Sequence, residues 1–301
     1  MDEKKPNRIV SKKLTKRIEQ EYARNLANVG REVDSIVKDF TKKLDTNKDK
    51  VTLEDIENVQ NRLHDYSVRL KDWAQQTVTK LVYSLKNEDI KEWEQHSERM
   101  SEEMKRELAR ANIKEAMDAF IRDNVKLITS LPLSAAERIQ EIVRNNLTTG
   151  TRAETVAKEL SQTGIVTKSR AMLIARTETS KMVTNMVKAR AEEIGLNWFV
   201  WKATGGYSGD GRTRSAHRKM DNVLCTWNDP PNPEALFPDR KAKPYGDYLP
   251  GATFNCRCYA APLIRLDDVS WPARVHVGGK IVRMNKREFM KISEQEFLKA
   301  A

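Results

Sequence analysis

The sequence WFVWKATGGYSGDGRTRSAHRKMD occupies residues 198–221, and the same irregular region ends with NCRC at residues 255–258. It combines an aromatic strand, a run of Asp, Arg and His, a loop rich in Pro and Gly, and two cysteines that are separated by a single residue. Ordinary helix or strand periodicity does not require this mixture. A specific polar or metal-centred arrangement is therefore predicted to hold these residues in place.

The chain before this region is typical of long amphipathic helices. Apolar residues recur at spacings of three and four from Leu14 to Leu44 and from Ile56 to Leu85, which places them on one face of each helix. The polar break at residues 45–50 predicts a turn between two antiparallel helices. Its opening is similar to a calcium loop, but lysine and isoleucine occupy the required Gly and final Glu positions, which excludes calcium.

Shorter and more exposed helices are predicted after the hairpin. Residues 88–110 are rich in charge and poor in apolar residues, which indicates an exposed helix that buries its apolar stripe against a partner or only weakly. Pro132, Gly150 and Gly164 are predicted to interrupt or end helices up to Gly195.

The C-terminal residues predict a β-hairpin around two consecutive glycines, followed by a short charged helix. The predicted fold class is α+β, with a long N-terminal helical hairpin or bundle and then a mostly helical segment joined to a small irregular β-containing C-terminal domain. Three segments are predicted: a helical region at 1–120, a central domain at 121–265, and a hairpin with a helical tail at 266–301.

The composition indicates a water-facing protein with a basic excess. Lys and Arg outnumber Asp and Glu by 54 to 43, which gives a net charge of +11 and favours a polyanionic neighbour such as DNA. No apolar run approaches the roughly 18 residues of a bilayer span, so no membrane contact is predicted. The first residues have no signal-peptide core, which predicts a cytosolic protein whose three cysteines are reduced thiols or metal ligands.

The cysteines and histidine of the irregular region are candidate zinc ligands. His217, Cys256 and Cys258 form the main set, and Cys225 is a less certain fourth ligand, since zinc prefers Cys and His and four ligands close a structural site. The alternative is that the cysteines are small buried apolar residues and that His217 donates a hydrogen bond inside the fold.

The charged residues nearby are predicted to have an architectural role, folding against the Cys-Arg-Cys end. Arginine forks bind carboxylates and carbonyls bidentately, which suits them to pinning an irregular loop to a sheet. The predicted polar clasp consists of Arg176, Glu178, Asp210, Arg212 and Arg214. Because a buried charge is costly unless it is paired, Arg176 and Glu178 are expected to reach partners elsewhere or to form an exposed pair.

Catalysis is the alternative for the same residues. Cys256 or Cys258 with His217 is formally a nucleophile and base, and Asp210 with His217 could serve a metal-dependent nuclease. The sequence has no P-loop, nucleophile elbow, dinucleotide fingerprint or second carboxylate cluster. We therefore expect the protein not to be an enzyme.

Four motifs between residues 124 and 262 resemble the phage Mu F-like head morphogenesis proteins, which are minor capsid proteins of tailed phages and prophages. The motifs are Ile174-Ala175-Arg176-Thr177-Glu178-Thr179, Trp201 at a strand end, Asp210-x-Arg212-Thr213-Arg214-x-x-His217 with Met220-Asp221, and Pro250-Gly251 leading into Asn255-Cys256-Arg257-Cys258. The family has Gly where Asn222 stands, and asparagine tolerates the same left-handed backbone. Cys225 is not part of the family pattern.

The resemblance implies a low-copy internal or portal-associated head protein without an established catalytic role. Such a protein would act in head morphogenesis and genome packaging or delivery, bind the portal protein, scaffold or coat protein, and contact DNA non-specifically. It would lie in the host cytoplasm during assembly and then in the virion head. The alternatives are a zinc-stabilised nucleic-acid-binding protein outside a virion and a metal-dependent nuclease.

Overall fold

The computed structural model describes residues 12–46, 53–149, 153–208, 210–239 and 245–300. Within these ranges the predicted α+β fold class is confirmed. The helices are α1 (Lys12–Thr46), α2 (Leu53–His96), α3 (Glu102–Arg110), α4 (Lys114–Thr149), α5 (Ala153–Glu193), α6 (Ser215–Lys219), α7 (Pro233–Leu236) and α8 (Lys286–Ala300). The strands are β1 (Trp198–Lys202), β2 (Val223–Thr226), β3 (Tyr259–Pro262), β4 (Ala273–Val277) and β5 (Lys280–Met284).

These elements form two compact units. The sheet unit combines the first turn of α1 with residues 85–117 and 179–300, and the helical unit consists of residues 16–84 and 118–178. Helices α2, α4 and α5 each supply residues to both units, and the predicted boundary at 120/121 lies inside α4. No helix in the described ranges has the length and apolar character needed to cross a membrane.

The helical unit is built on the predicted antiparallel hairpin. Phe40 near the end of α1 shares a buried cluster with Ile56 at the start of α2. Lys80, further along α2, pairs with Glu21 near the start of α1, with Nζ and Oε1 2.8 Å apart. The two helices therefore run in opposite directions, which confirms the prediction. Most of the predicted turn between them, residues 47–50, lies outside the described residues.

Two of the predicted helix interruptions are wrong. Pro132 lies inside α4, where it removes a single backbone N–H while the adjacent Leu131 is fully buried, and burial of an apolar face supplies most of a helix's stability. Gly164 lies inside α5, where an added Cβ would stand 2.4 Å from Cβ of Asp34. Glycine therefore permits the close approach of α5 to α1. The predicted helix end at Gly150 lies outside the described residues.

The prediction of one exposed helix over residues 88–110 is also wrong. Helix α2 continues to His96, a 3-10 turn follows, and α3 is a separate helix without buried residues. Asp89 and Trp93 are both only 1% exposed. The many charged residues of this segment do not indicate that these two side chains on α2 are deeply buried.

A buried ion pair joins two helices of the sheet unit. Arg190 of α5 donates to the carboxylate of Asp89 on α2, and the two side chains are 6% and 1% exposed. Burial raises the pKa of Asp89 to about 6, although the charge of Arg190 and its hydrogen bond act in the opposite direction. Desolvation therefore destabilises the ionised carboxylate by more than Arg190 stabilises it.

The sheet unit contains five strands in the order β3-β1-β2-β4-β5. Strand β1 is antiparallel to β2 and β3, β2 is parallel to β4, and β4 is antiparallel to β5. Because side chains alternate along a strand, Phe199 and Trp201 share one face of β1, and Trp198 faces the opposite side, where it contacts Phe289 of α8. The predicted C-terminal hairpin and helix are confirmed as β4, β5 and α8.

Candidate functional site

His217, Cys256 and Cys258 meet inside the sheet unit. Nδ1 of His217 lies 3.4 Å from Sγ of Cys256 and 3.5 Å from Sγ of Cys258. The three residues are between 2% and 4% exposed, and one ligand atom from each lies within 4.8 Å of the others. Two thiolates and one ring nitrogen at this spacing have the composition of a zinc-binding group.

The local fold brings these three side chains together. His217 lies on α6, and its ring packs edge-on against Trp201 at the end of β1, with ring centres 5.8 Å apart. The cysteines come directly before β3, the neighbour of β1. Asn255 has a φ of +55°, and the N–H of Cys256 donates to the carbonyl of Thr253 at 3.0 Å. This turn places both sulfurs against the same imidazole.

The other nitrogen of the His217 ring faces two residues that the motifs do not include. Nε2 lies 2.8 Å from the hydroxyl of Tyr248 and 3.3 Å from Oε1 of Glu234. The Tyr248 hydroxyl donates to the Glu234 carboxylate at 2.7 Å, and Glu234 is 3% exposed. A carboxylate and hydroxyl at Nε2 favour a proton on that nitrogen, which leaves the lone pair of Nδ1 directed towards the sulfurs.

Glu234 could have been placed on a helix from the sequence, but not in the site. Asn232 caps the short helix α7 by accepting from the N–H of Ala235 at 3.1 Å, and Pro233 occupies the first helical position. Asn followed by Pro is a recognisable helix start. Nothing in that signal indicates that the carboxylate one residue later is buried against a histidine.

The two cysteines and the tyrosine around His217 have shifted pKa values. A hydrogen bond from Cys258 holds the pKa of the Cys256 thiol well below its ordinary value; His217 acts in the same direction, and burial opposes both. The hydrogen bond to Cys256, together with burial, raises the pKa of the Cys258 thiol. Burial and then the hydrogen bond to Glu234 raise the pKa of Tyr248, which remains a donor.

The structure does not bring Cys225 to the other three candidate ligands. It lies on β2 opposite Phe199 of β1, is fully buried, and has a thiol whose pKa is raised by that burial. Within the part of the chain that the structure describes, the metal-capable group contains only the histidine and the two cysteines of the Cys-Arg-Cys end.

The Asp-Arg-His run packs against the Cys-Arg-Cys end, as expected from the sequence. Oδ2 of Asp210 lies 2.8 Å from Nη2 of Arg257, the residue between the two cysteines. Arg214 donates to the carbonyl of Phe254 at 2.8 Å and to the hydroxyl of Thr253 at 3.2 Å. These bonds fasten the loop after β1 to the turn that carries the thiols.

Asp210 also organises the backbone that follows it. Oδ1 accepts from the N–H groups of Arg212 and Thr213 at 3.1 and 3.0 Å. A hydrogen bond from the Thr213 hydroxyl is the largest cause of the lowered pKa of Asp210, which is about 2. Arg212 takes part in this loop through its backbone N–H, and the residue itself is exposed.

Arg176 and Glu178 have partners within the helical unit. Nε of Arg176 lies 3.9 Å from Oε1 of Glu19 on α1, and the Arg176 side chain is 54% exposed. Glu178 is buried and accepts from Nδ2 of Asn124 at 3.2 Å, and Asn124 in turn accepts from the hydroxyl of Tyr22 at 3.3 Å. Each of the two charges therefore has a partner on another helix, and these bonds connect helices rather than the irregular loop.

Three further motif positions have clear structural reasons. Asp221 accepts from the N–H of Ala203 at 2.8 Å, which closes the loop after β1. Asn222 has a φ of +61°, which agrees with the expected left-handed turn. Gly251 has a φ of +88°, and a Cβ there would lie 3.1 Å from the hydroxyl oxygen of Thr184. These positions require residues that tolerate a left-handed backbone or a close approach.

Asp210 is expected to make the loop sensitive to acid. The pKa of Asp210 is about 2 in the folded protein, against an ordinary value of 3.8. The ionised carboxylate therefore stabilises the fold at a pH above 3.8, and this stabilisation is lost as the pH falls through the folded-state pKa. We expect the urea unfolding midpoint of Asp210→Asn to lie below that of the wild type at about pH 6, with the difference shrinking towards pH 2. Asp247→Asn, at another exposed aspartate, is the control. A difference that does not change with pH would contradict this assignment.

Known proteins match the part of the chain that contains this site. Residues 137–261 match the family model described as Phage Mu protein F like protein. The chain is 30% identical over 153 residues to an "Uncharacterized protein" of Haemophilus influenzae, and the alignment covers 51% of this chain and 30% of that protein. The chain thus spans less than a third of the relative, and no solved structure matches it. The resemblance carried by the motifs is confirmed by this match to the Phage Mu protein F like family over residues 137–261.

Proposed function

We propose that this chain is a minor head protein of a tailed phage or prophage and acts in head morphogenesis and genome packaging or delivery. The observation that carries the proposal is the family match, because it covers the strands, the loop and the thiol turn that form the site. The function proposed for the whole chain extends beyond the matched residues. It therefore needs a direct test.

The geometry of the site supports a non-enzymatic role. The thiols and the imidazole are all nearly inaccessible to solvent, so a macromolecular substrate has no route to them. The nuclease alternative requires Asp210 to act with His217, but Asp210 pairs with Arg257, and the Nε2 partners of His217 are Glu234 and Tyr248. A site built in this way stabilises a fold rather than a transition state.

The long helices are the proposed contact surface for other head proteins. Helices α1 and α2 contain 35 and 44 residues, which at about 1.5 Å per residue corresponds to roughly 50 and 65 Å. Their inner stripes are buried, and their remaining positions are largely exposed and polar. We propose that such surfaces bind portal, scaffold or coat protein through polar and charged contacts.

Recovery of the tagged chain from prophage-induced cells tests the head proposal. We expect portal and scaffold proteins to be recovered with it, and the chain to sediment with procapsids after the lysate has been treated with nuclease. Nuclease removes DNA bridges, so the same treatment separates head assembly from nucleic-acid binding outside a virion. Recovery with DNA but never with procapsids would contradict the head proposal and favour the second function.

DNA binding is expected to be non-specific and strongly dependent on salt. The net charge of +11 favours phosphate contacts, and each neutralised phosphate contributes about −0.9 to the slope of log K against log salt concentration. We expect fluorescence anisotropy with two duplexes of unrelated sequence to give equal affinities that fall together as salt rises. A strong preference for one duplex, or affinities independent of salt, would contradict electrostatic binding.

A further inference from the structure

We propose that His217, Cys256 and Cys258 bind one zinc ion and that Glu234 and Tyr248 position the histidine ring for it. This inference does not depend on a role in the phage head, because its tests measure metal content and stability. Its basis is the geometry of five side chains that are contributed by α6, α7, the loop after α7 and the turn before β3.

The distances fit a tetrahedral zinc centre. Zinc–sulfur bonds of about 2.3 Å and zinc–nitrogen bonds of about 2.0 Å at tetrahedral angles place sulfur and nitrogen roughly 3.5 Å apart. The two sulfurs of Cys256 and Cys258 lie 3.4 and 3.5 Å from Nδ1 of His217. Both sulfur–nitrogen pairs therefore already have the separation that a shared ion requires, and the two sulfurs lie within 4.8 Å of each other.

A hydrogen bond with the ring can serve only one of the two sulfurs at a time. Nδ1 of a neutral imidazole has either one proton or one lone pair, yet the sulfurs of Cys256 and Cys258 both approach that single atom. A cation between the three atoms accepts the lone pair of Nδ1 and one pair from each thiolate. Its two positive charges also neutralise two buried thiolates, which burial alone would penalise.

Glu234 provides the outer contact that is typical of histidine ligands. A metal-bound histidine usually donates its second N–H to a carboxylate or carbonyl, which fixes the ring and its tautomer. In this site Nε2 of His217 faces the Glu234 carboxylate and the Tyr248 hydroxyl, and the hydroxyl donates to the same carboxylate. Glu234 and Tyr248 are therefore positioning residues and not ligands.

The ion is expected to have a structural role. Within the described residues three protein ligands converge, and an open fourth position is otherwise typical of catalytic zinc. All three ligands are deeply buried, which keeps substrates away from that position. Zinc would instead join α6 to the turn before β3 and stabilise the folded sheet unit.

Metal analysis of the full chain tests this proposal. Protein purified under reducing conditions without chelator is expected to contain one equivalent of zinc, and Cys256→Ser and Cys258→Ser are expected to lose at least nine-tenths of it. Cys225→Ser is the matched control, because it removes a buried thiol of the same unit without touching the cluster, and it should retain the metal. Glu234→Ala should weaken zinc binding by about 10–100-fold.

Two further measurements keep the proposal falsifiable if a variant does not fold. Chelator should lower the thermal midpoint of the wild type, and addition of zinc should restore it. Cobalt added to the chelated wild type should give thiolate-to-cobalt charge-transfer absorption. Wild-type protein with less than a tenth of an equivalent of zinc and no cobalt absorption would overturn the proposal, as would zinc loss in Cys225→Ser equal to that in Cys258→Ser. Rapid alkylation of Cys256 in wild-type protein purified without chelator, at a rate that added zinc does not lower, would overturn it in favour of a nucleophilic thiol.

Discussion

Asp89→Ala is expected to lower the free energy of unfolding by about 3–5 kcal/mol, because it leaves the charge of Arg190 buried without its partner. The two side chains are 1% and 6% exposed, and their bond joins α2 to α5 within the sheet unit. Water therefore has little access to the arginine once the carboxylate is removed. Urea unfolding followed by circular dichroism measures the change.

The neighbouring Glu88→Ala is the matched control, because Glu88 pairs on the same helix with Lys91, whose side chain is 63% exposed. Exposed pairs contribute at most about 1 kcal/mol. The double variant Asp89→Leu with Arg190→Met should regain most of the lost stability, since the pKa of Asp89 near 6 shows that burial outweighs the pairing. Equal losses for Asp89→Ala and Glu88→Ala would show that Arg190 finds another partner.

Trp201→Ala is expected to cost about 3–5 kcal/mol of unfolding free energy and to open the site. Trp201 is fully buried, and its ring packs edge-on against His217 and Tyr248, with ring centres 5.8 and 6.1 Å apart. Removing it creates a cavity on the face of β1 that supports the imidazole. Denaturant unfolding measures the stability, and the rate of thiol labelling in the folded protein measures access to the cysteines.

Trp198→Ala separates these two effects. Trp198 has the same size, lies on the same strand and faces the opposite side of the sheet, against Phe289. We expect a similar loss of stability but little change in labelling at Cys256 and Cys258. Both variants are best compared in a Cys225→Ser background, which removes the third thiol. Faster labelling in both variants alike would mean that global loosening, and not the cavity beside His217, exposes the thiols.

The N-terminal helices could be predicted because their burial is periodic. Every third or fourth residue of α1 and α2 is apolar, and these residues are the ones that become buried. Pro132 and Gly164 misled the prediction because both are usually helix breakers, whereas burial of Leu131 and close packing on Asp34 override their local preference. Such tertiary effects cannot be predicted from a short stretch of neighbouring residues.

The cluster of one histidine and two cysteines could be predicted from residue chemistry, but its surroundings could not. His217, Cys256 and Cys258 are recognisable because few other roles unite those residue types. Glu234 and Tyr248 look like ordinary members of a polar, proline-rich loop, and only the fold reveals that they face the imidazole. Arg176 and Glu178 were predicted to belong to the polar clasp around the loop. The bonds described for them instead join helices.

The parallel pairing of β2 with β4 limits how this protein could be exchanged between genomes. Strand β4 begins at Ala273, beyond the matched residues 137–261, and β2 depends on it for one of its two edges. Recombination that transferred only the matched segment would leave that edge open to self-association and would also separate Arg190 from Asp89. Functional crossovers are therefore expected upstream of α1 or downstream of α8, so that the sheet unit is inherited whole.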